Sequence, residues 1–162
     1  IGALTAFTKD KKLQHVKPHG AMYNQSVNDP DLSRAICEAI LETDENIILI
    51  ALANSKWIKI AKEMGLKVAR EIFADRALNS DGSLVSRSIE GSVIHEADVV
   101  IDRSIKMINQ GSVKTIDGKE IEVEADSICL HSDTPGSVEM AKLLNIELQK
   151  NGIETSKIAD LV

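Results

Sequence analysis

Aromatic residues are nearly absent from this chain. Trp57, Tyr23, Phe7 and Phe73 make up only 2% of the 162 residues, which argues against a surface that stacks nucleic-acid bases on rings. Cysteine is almost as scarce. Cys37 and Cys129 are far apart and fit no metal or redox spacing, so they read as two reduced core thiols, as expected in a cytoplasm. No apolar run approaches the roughly 18 residues that span a bilayer, and no signal-peptide pattern is seen. Basic residues are outnumbered 19 to 25, for a net charge of −6. A general polyanion binder is thereby disfavoured, while a local basic pocket for a small anion is not. The chain also lacks an initiator Met and a P-loop.

What is present alternates between strand and helix signals. Residues 1–13 read as a short helix with Ile1, Leu4 and Phe7 on one side, and His15–Lys17 as an extended stretch ended by Pro18. Pro18–Asp29 reads as a loop. Asp29 caps a helix with Pro30 in its first turn and Leu32, Ile36, Ala39 and Ile40 on one face. The apolar run Ile47–Ala53 suggests a strand buried on both faces, as in parallel sheets. Ser55 caps the next helix, with Ile58, Ala61 and Met64 inward and Gly65 as its stop. Lys67–Phe73 is a further strand, followed by a long polar segment, Ala74–Gly91. A helix over Ile94–Asn109, a hairpin around Asp117-Gly118, a short strand Ser127–Leu130 and a helix opened by Thr134-Pro135 complete the order. Repeated strand-then-helix order implies an α/β fold with parallel strands and right-handed crossovers, in a single domain over residues 1–162.

In such folds, function gathers where strands end. Lys17 and His19 follow the first strand, Asn54 the second, Asp75 and Arg76 the third, and His131 and Asp133 the last. Each set has a plain structural reading beside the functional one. Lys17 and His19 are either a solvated loop or an anion-binding Lys beside an acid/base His. Glu71, Phe73 and Asp75 alternate onto one side; Asp75 either activates water or pairs with arginine, and Arg76 either clamps an anion or holds the loop. Arg87 is a second candidate clamp or a surface residue. Asp133 or Thr134 either caps the last helix, or Asp133 faces a site with His131 as acid/base. His15 and His95 read as structural. Trp57 is either core or an exposed interface residue.

Four segments occur in one order: Val16–Asn24 (VKPHGAMYN), Glu71–Ala77 (EIFADRA), Asp81–Ser88 (DGSLVSRS) and Cys129–Ser137 (CLHSDTPGS). Together they resemble the LamB/YcsF family, which supplies the A subunit of bacterial 5-oxoprolinases. The resemblance implies a parallel (β/α) barrel-like fold of the glycoside hydrolase/deacetylase type. It also implies ATP-dependent opening of 5-oxoproline to glutamate, with ATP as co-substrate and subunits B and C as partners. Carried onto this chain, the chemistry calls for His19, Asp75, His131 and Asp133 as acid/base groups. Lys17, Asn24, Glu71, Arg76 and Arg87 would bind substrate. Typical family members begin upstream of Ile1, so the chain reads as the C-terminal two-thirds of the family domain. An incompletely closed sheet would then favour association or insolubility when the segment is expressed alone. Leu78, Ser86 and Ser132 depart from the family pattern, which bears on substrate detail. Two other readings stand: a metal-dependent deacetylase or amidohydrolase on the same fold, and a non-catalytic scaffolding subunit.

Overall fold

Five consecutive apolar residues, Ile48–Leu52, form strand β2, and all five are buried. Burial on both faces is what an uninterrupted apolar run selects. The computed structural model describes residues 1–133 and 136–162, so the predicted helix start at Thr134-Pro135 lies outside the described residues. The chain forms two compact units, residues 1–70 with 158–162 and residues 71–157.

In the first unit, helix α1 (Gly2–Thr5) precedes strand β1 (His15–Val16), which pairs in parallel with β2. The Leu49 N–H donates to the Lys67 carbonyl at 2.9 Å, leading β2 onto strand β3 (Val68–Phe73). Helix α2 (Gly20–Ser26) lies where a loop is expected. Its inward residue Ser26 is bonded through its hydroxyl to the Met22 carbonyl, and the Ser33 hydroxyl donates to the Ser26 carbonyl, both at 2.6 Å. The second bond fastens α2 to helix α3 (Pro30–Thr43).

The caps of α3 and of helix α4 (Lys56–Glu63) form as expected. Asp29 accepts from the Asp31 and Leu32 N–H groups at 3.1 Å, and Ser55 from Ile58 N–H at 3.4 Å. The expected inward face of α3 needs correction. Ala39 is exposed, and Ser33, Cys37 and Ile40 are buried. Trp57 on α4 is fully buried and meets Tyr23 edge-to-face at 5.8 Å between ring centroids, so the core reading of Trp57 holds. The expected N-terminal helix over residues 1–13 shortens to Gly2–Thr5, with Phe7 88% exposed. Its apolar side is left facing solvent, so burial does not reward the longer helix.

In the second unit, Glu71, Ile72 and Phe73 of β3 pair in parallel with Ser127, Ile128 and Cys129 of strand β6 (Ser127–Cys129). Helix α5 (Ala97–Gln110) ends at Gly111, whose φ of 62° is left-handed, and packs on helix α6 (Ser137–Lys150). The core between them gathers Ala74, Val100, Ile101, Met140, Leu144 and Leu148. Strands β4 (Ser112–Lys114) and β5 (Glu120–Glu122) form the expected antiparallel hairpin, with Gly118 at φ 85° in the turn. Parallel strands alternating with helices make this an α/β fold. Among the described residues, no helix is long and apolar enough to cross a membrane.

The hairpin turn carries its own acid sensitivity. Hydrogen bonds from the Ser80 and Thr115 hydroxyls pull the Asp117 carboxyl down to about 2. A carboxyl depressed by folding stabilises the fold above its unfolded value and loses that effect as pH falls through the folded one. Amide protection at Thr115 and Lys119 should therefore weaken between about pH 4 and pH 2. Asp117→Asn should remove that pH dependence, measured by hydrogen exchange.

Candidate functional site

Parallel register brings the third and last strand ends together. Phe73 lies opposite Cys129, so two residues further along each strand bring Asp75 beside His131. Both Asp75 carboxylate oxygens lie 3.0 Å from His131 Nδ1, and the His131 backbone N–H donates to Asp75 Oδ2 at 3.2 Å. The Asp75 side chain is 1% exposed and that of His131 24%. The ring of Phe73 stacks on the imidazole at 5.6 Å and 23°. With Nδ1 turned to the carboxylate, the tautomer is set and Nε2 is the ring nitrogen left for proton transfer. Asp75 thus lies behind the imidazole rather than at an open face.

The neighbouring charges are held in two ways. Arg76 is 5% exposed; its Nε donates to the Ser92 carbonyl at 3.2 Å and its Nη2 to the Val85 carbonyl. Burial and nearby Arg87 lower its pKa. These contacts are those of a loop anchor. They fold residues 74–94 together with backbone bonds from Ala77 N–H to Ser92 O and from Ile94 N–H to Asp75 O. Arg87 is exposed and its Nη1 meets Asp133 Oδ2 at 3.2 Å. That hydrogen bond holds the Asp133 carboxyl below the usual carboxylate range. The residue before α6 is Gly136, at φ 79°, with no side-chain cap among the described residues, and Thr134 lies outside them. Ser132 is exposed, and its carbonyl accepts from the Ser137 hydroxyl at 3.2 Å. Glu71 is buried in β3, opposite Ser127.

Lys17, His19 and Asn24 belong to the first unit. Lys17 is half-buried, its Nζ 5.7 Å from the centre of the Tyr23 ring. His19 is the exposed residue before α2, and Asn24 is exposed on that helix. His15, on β1, and His95, just before α5, are exposed. Among the described residues, no group of three or more His, Cys, Asp or Glu is placed to share a metal ion. Arg103, on α5, was not singled out from sequence. Its Nη1 donates to the Phe73 carbonyl at 2.8 Å, two residues before Asp75. A lone arginine in an amphipathic helix carries no signal of that contact.

The LamB/YcsF family model matches residues 1–162. The 5-oxoprolinase A subunit of Alkaliphilus metalliredigens is 49% identical over 156 residues, covering 95% of this chain and 61% of that protein. The corresponding 5-oxoprolinase A subunit of Thermococcus onnurineus is 48% identical, covering 100% of this chain and 64% of its own length. The crystal structure of a lactam utilization protein from Thermus thermophilus superposes with a TM-score of 0.86 at 36% identity, over 96% of this chain and 62% of that one. The chain thus spans just under two thirds of the length of these relatives. With a family match over its whole length and the strand-end motifs in place, the chain belongs to the LamB/YcsF family.

Proposed function

We propose that this chain is part of the A subunit of an ATP-dependent 5-oxoprolinase, opening 5-oxo-L-proline to L-glutamate together with subunits B and C. The observation that carries the reading is the Asp75–His131 pair at the ends of β3 and β6. A five-membered lactam is a resonance-stabilised amide, and ATP as co-substrate supplies the activation that makes its carbonyl carbon electrophilic. Water attacking that carbon must lose a proton. Nε2 of His131 accepts it, while Asp75 orients the ring and stabilises the imidazolium that forms. Phe73 restricts the ring's tilt from one face.

Arg87 is the anion partner in the second unit. Its contact to Asp133 is exposed and of little worth in water, so a substrate carboxylate can replace that partner bidentately. Lys17 serves as a further anion partner, and His19 as an acid/base group, at the end of β1; Asn24 on the following helix is a candidate substrate contact. Arg76 and Glu71 support the site from within the fold rather than at its surface. A single (β/α) domain carries these groups. Free thiols at Cys37 and Cys129 support a reducing, cytoplasmic setting.

The test is reconstitution. Full-length protein mixed with subunits B and C, ATP and 5-oxoproline should release glutamate, and omitting the full-length protein should abolish it. Full glutamate release from B and C alone would overturn the reading. Stoichiometric zinc whose removal abolishes activity would favour the metal-dependent amidohydrolase instead.

A further inference from the structure

A carboxylate buried as deeply as Asp75 needs a countercharge. His131 fills both of its oxygens with hydrogen bonds, but a neutral imidazole brings no charge of its own. Two cations stand nearby, Arg76 buried and Arg103 half-buried. Arg76, on the loop after β3, spends Nε and Nη2 on the Ser92 and Val85 carbonyls. Arg103 approaches from α5, and its Nη1 donates to the Phe73 carbonyl and, at 3.5 Å, to that of Ala74. These are the two peptide units that lead into Asp75.

Arg103 is an expensive way to hold a helix against a strand. Its Nη2 is buried without a hydrogen-bond partner among the described residues. Burial pulls the guanidinium down to about 10, and the charge that opposes this is Asp75. An apolar side chain would fill the space without leaving a charged donor unsatisfied. What an apolar residue cannot do is hold the two carbonyls that lead into Asp75.

We propose that Arg103 is a positioning residue for the Asp75–His131 pair. It fixes the backbone that presents Asp75 to His131, so that the carboxylate stays on Nδ1 and Nε2 is the nitrogen offered as base. This inference rests on the proton-transfer role proposed for His131. The charged groups facing Asp75 are Arg103 from α5, Arg76 from the loop after β3 and His131 from the segment after β6; Arg87 lies beyond Arg76 and acts on it.

The test uses full-length protein assembled with its partner subunits. Without the guanidinium, the backbone that presents Asp75 is less firmly held. For Arg103→Met, kcat should therefore fall about tenfold, with KM for 5-oxoproline little changed. Arg103→Lys keeps a donor for the Phe73 carbonyl and should recover much of that loss. Nitrogen NMR of the His131 ring should show the Nδ1–H tautomer in the parent protein, and a lower population of it in Arg103→Met. A loss in both variants that tracks a lower melting temperature, with the tautomer unchanged, would show a merely structural arginine. So would an unchanged kcat in Arg103→Met. If His131→Ala and Asp75→Asn are themselves fully active, the failure lies with the proposed function, not with Arg103.

Discussion

Replacing His131 by alanine in the assembled enzyme should lower glutamate formation by about 10²–10⁴, the usual worth of a positioned proton-transfer group. Asp75→Asn should fall in the same range for a different reason. The asparagine is nearly isosteric, but its amide competes for the role of donor to Nδ1, and the imidazole loses the carboxylate that stabilises its protonated form. The melting temperature of His131→Ala should change little, whereas Asp75→Asn should lower it by removing the charge that opposes the burial of Arg103. The two losses should not add: with His131 gone, Asp75 has nothing to orient, so the double variant should match His131→Ala. Steady-state glutamate assays with a thermal melt on each variant check this. Undiminished turnover by His131→Ala would remove the pair from the chemistry.

The largest loss of stability should come from Trp57→Ala. The indole is fully buried on α4, against Tyr23 and beside the Cys37 thiol. Burial pushes that thiol's pKa up, so Cys37 behaves there as an apolar group. Emptying such a site costs about 3–5 kcal/mol, a large share of the roughly 5–15 kcal/mol that holds an ordinary domain together. Trp57→Phe refills much of the space and should cost less. Denaturant midpoints at equal m-value give the comparison. An alanine variant within about 0.5 kcal/mol of the parent would mean that the indole is not part of a packed core.

Features determined by neighbours in sequence were legible before the structure. The buried run at Ile48–Leu52, the caps at Asp29 and Ser55 and the Asp117-Gly118 turn each depend on a few adjacent residues. Helix α2 was missed because its inward face includes Ser26, which looks polar from sequence. Its burial is made tolerable by the bonds linking Met22, Ser26 and Ser33, and part of that network comes from the next helix. The N-terminal helix erred the other way: Ile1, Leu4 and Phe7 have the right spacing, yet all are exposed. For the site, position at strand ends marked Asp75 and His131 separately. Their pairing follows from the β3–β6 register, which joins residues 56 apart in sequence. Arg103 was invisible because its role lies in where α5 lands on the strand.

The way Arg76 grips its loop bears on how this chain can change. The guanidinium takes hold of two backbone carbonyls, those of Val85 and Ser92, and every amino acid carries a carbonyl. Exposed positions such as Ser86, whose hydroxyl bonds to Ser88 within the same loop, are thereby spared the task of tying the loop to the fold. The loop can drift in side-chain chemistry, and so in what it recognises, without losing its path. Arg76 has no such freedom. A lysine ammonium lacks the planar fork that reaches both carbonyls at once, so variation along the whole segment depends on one residue that cannot vary.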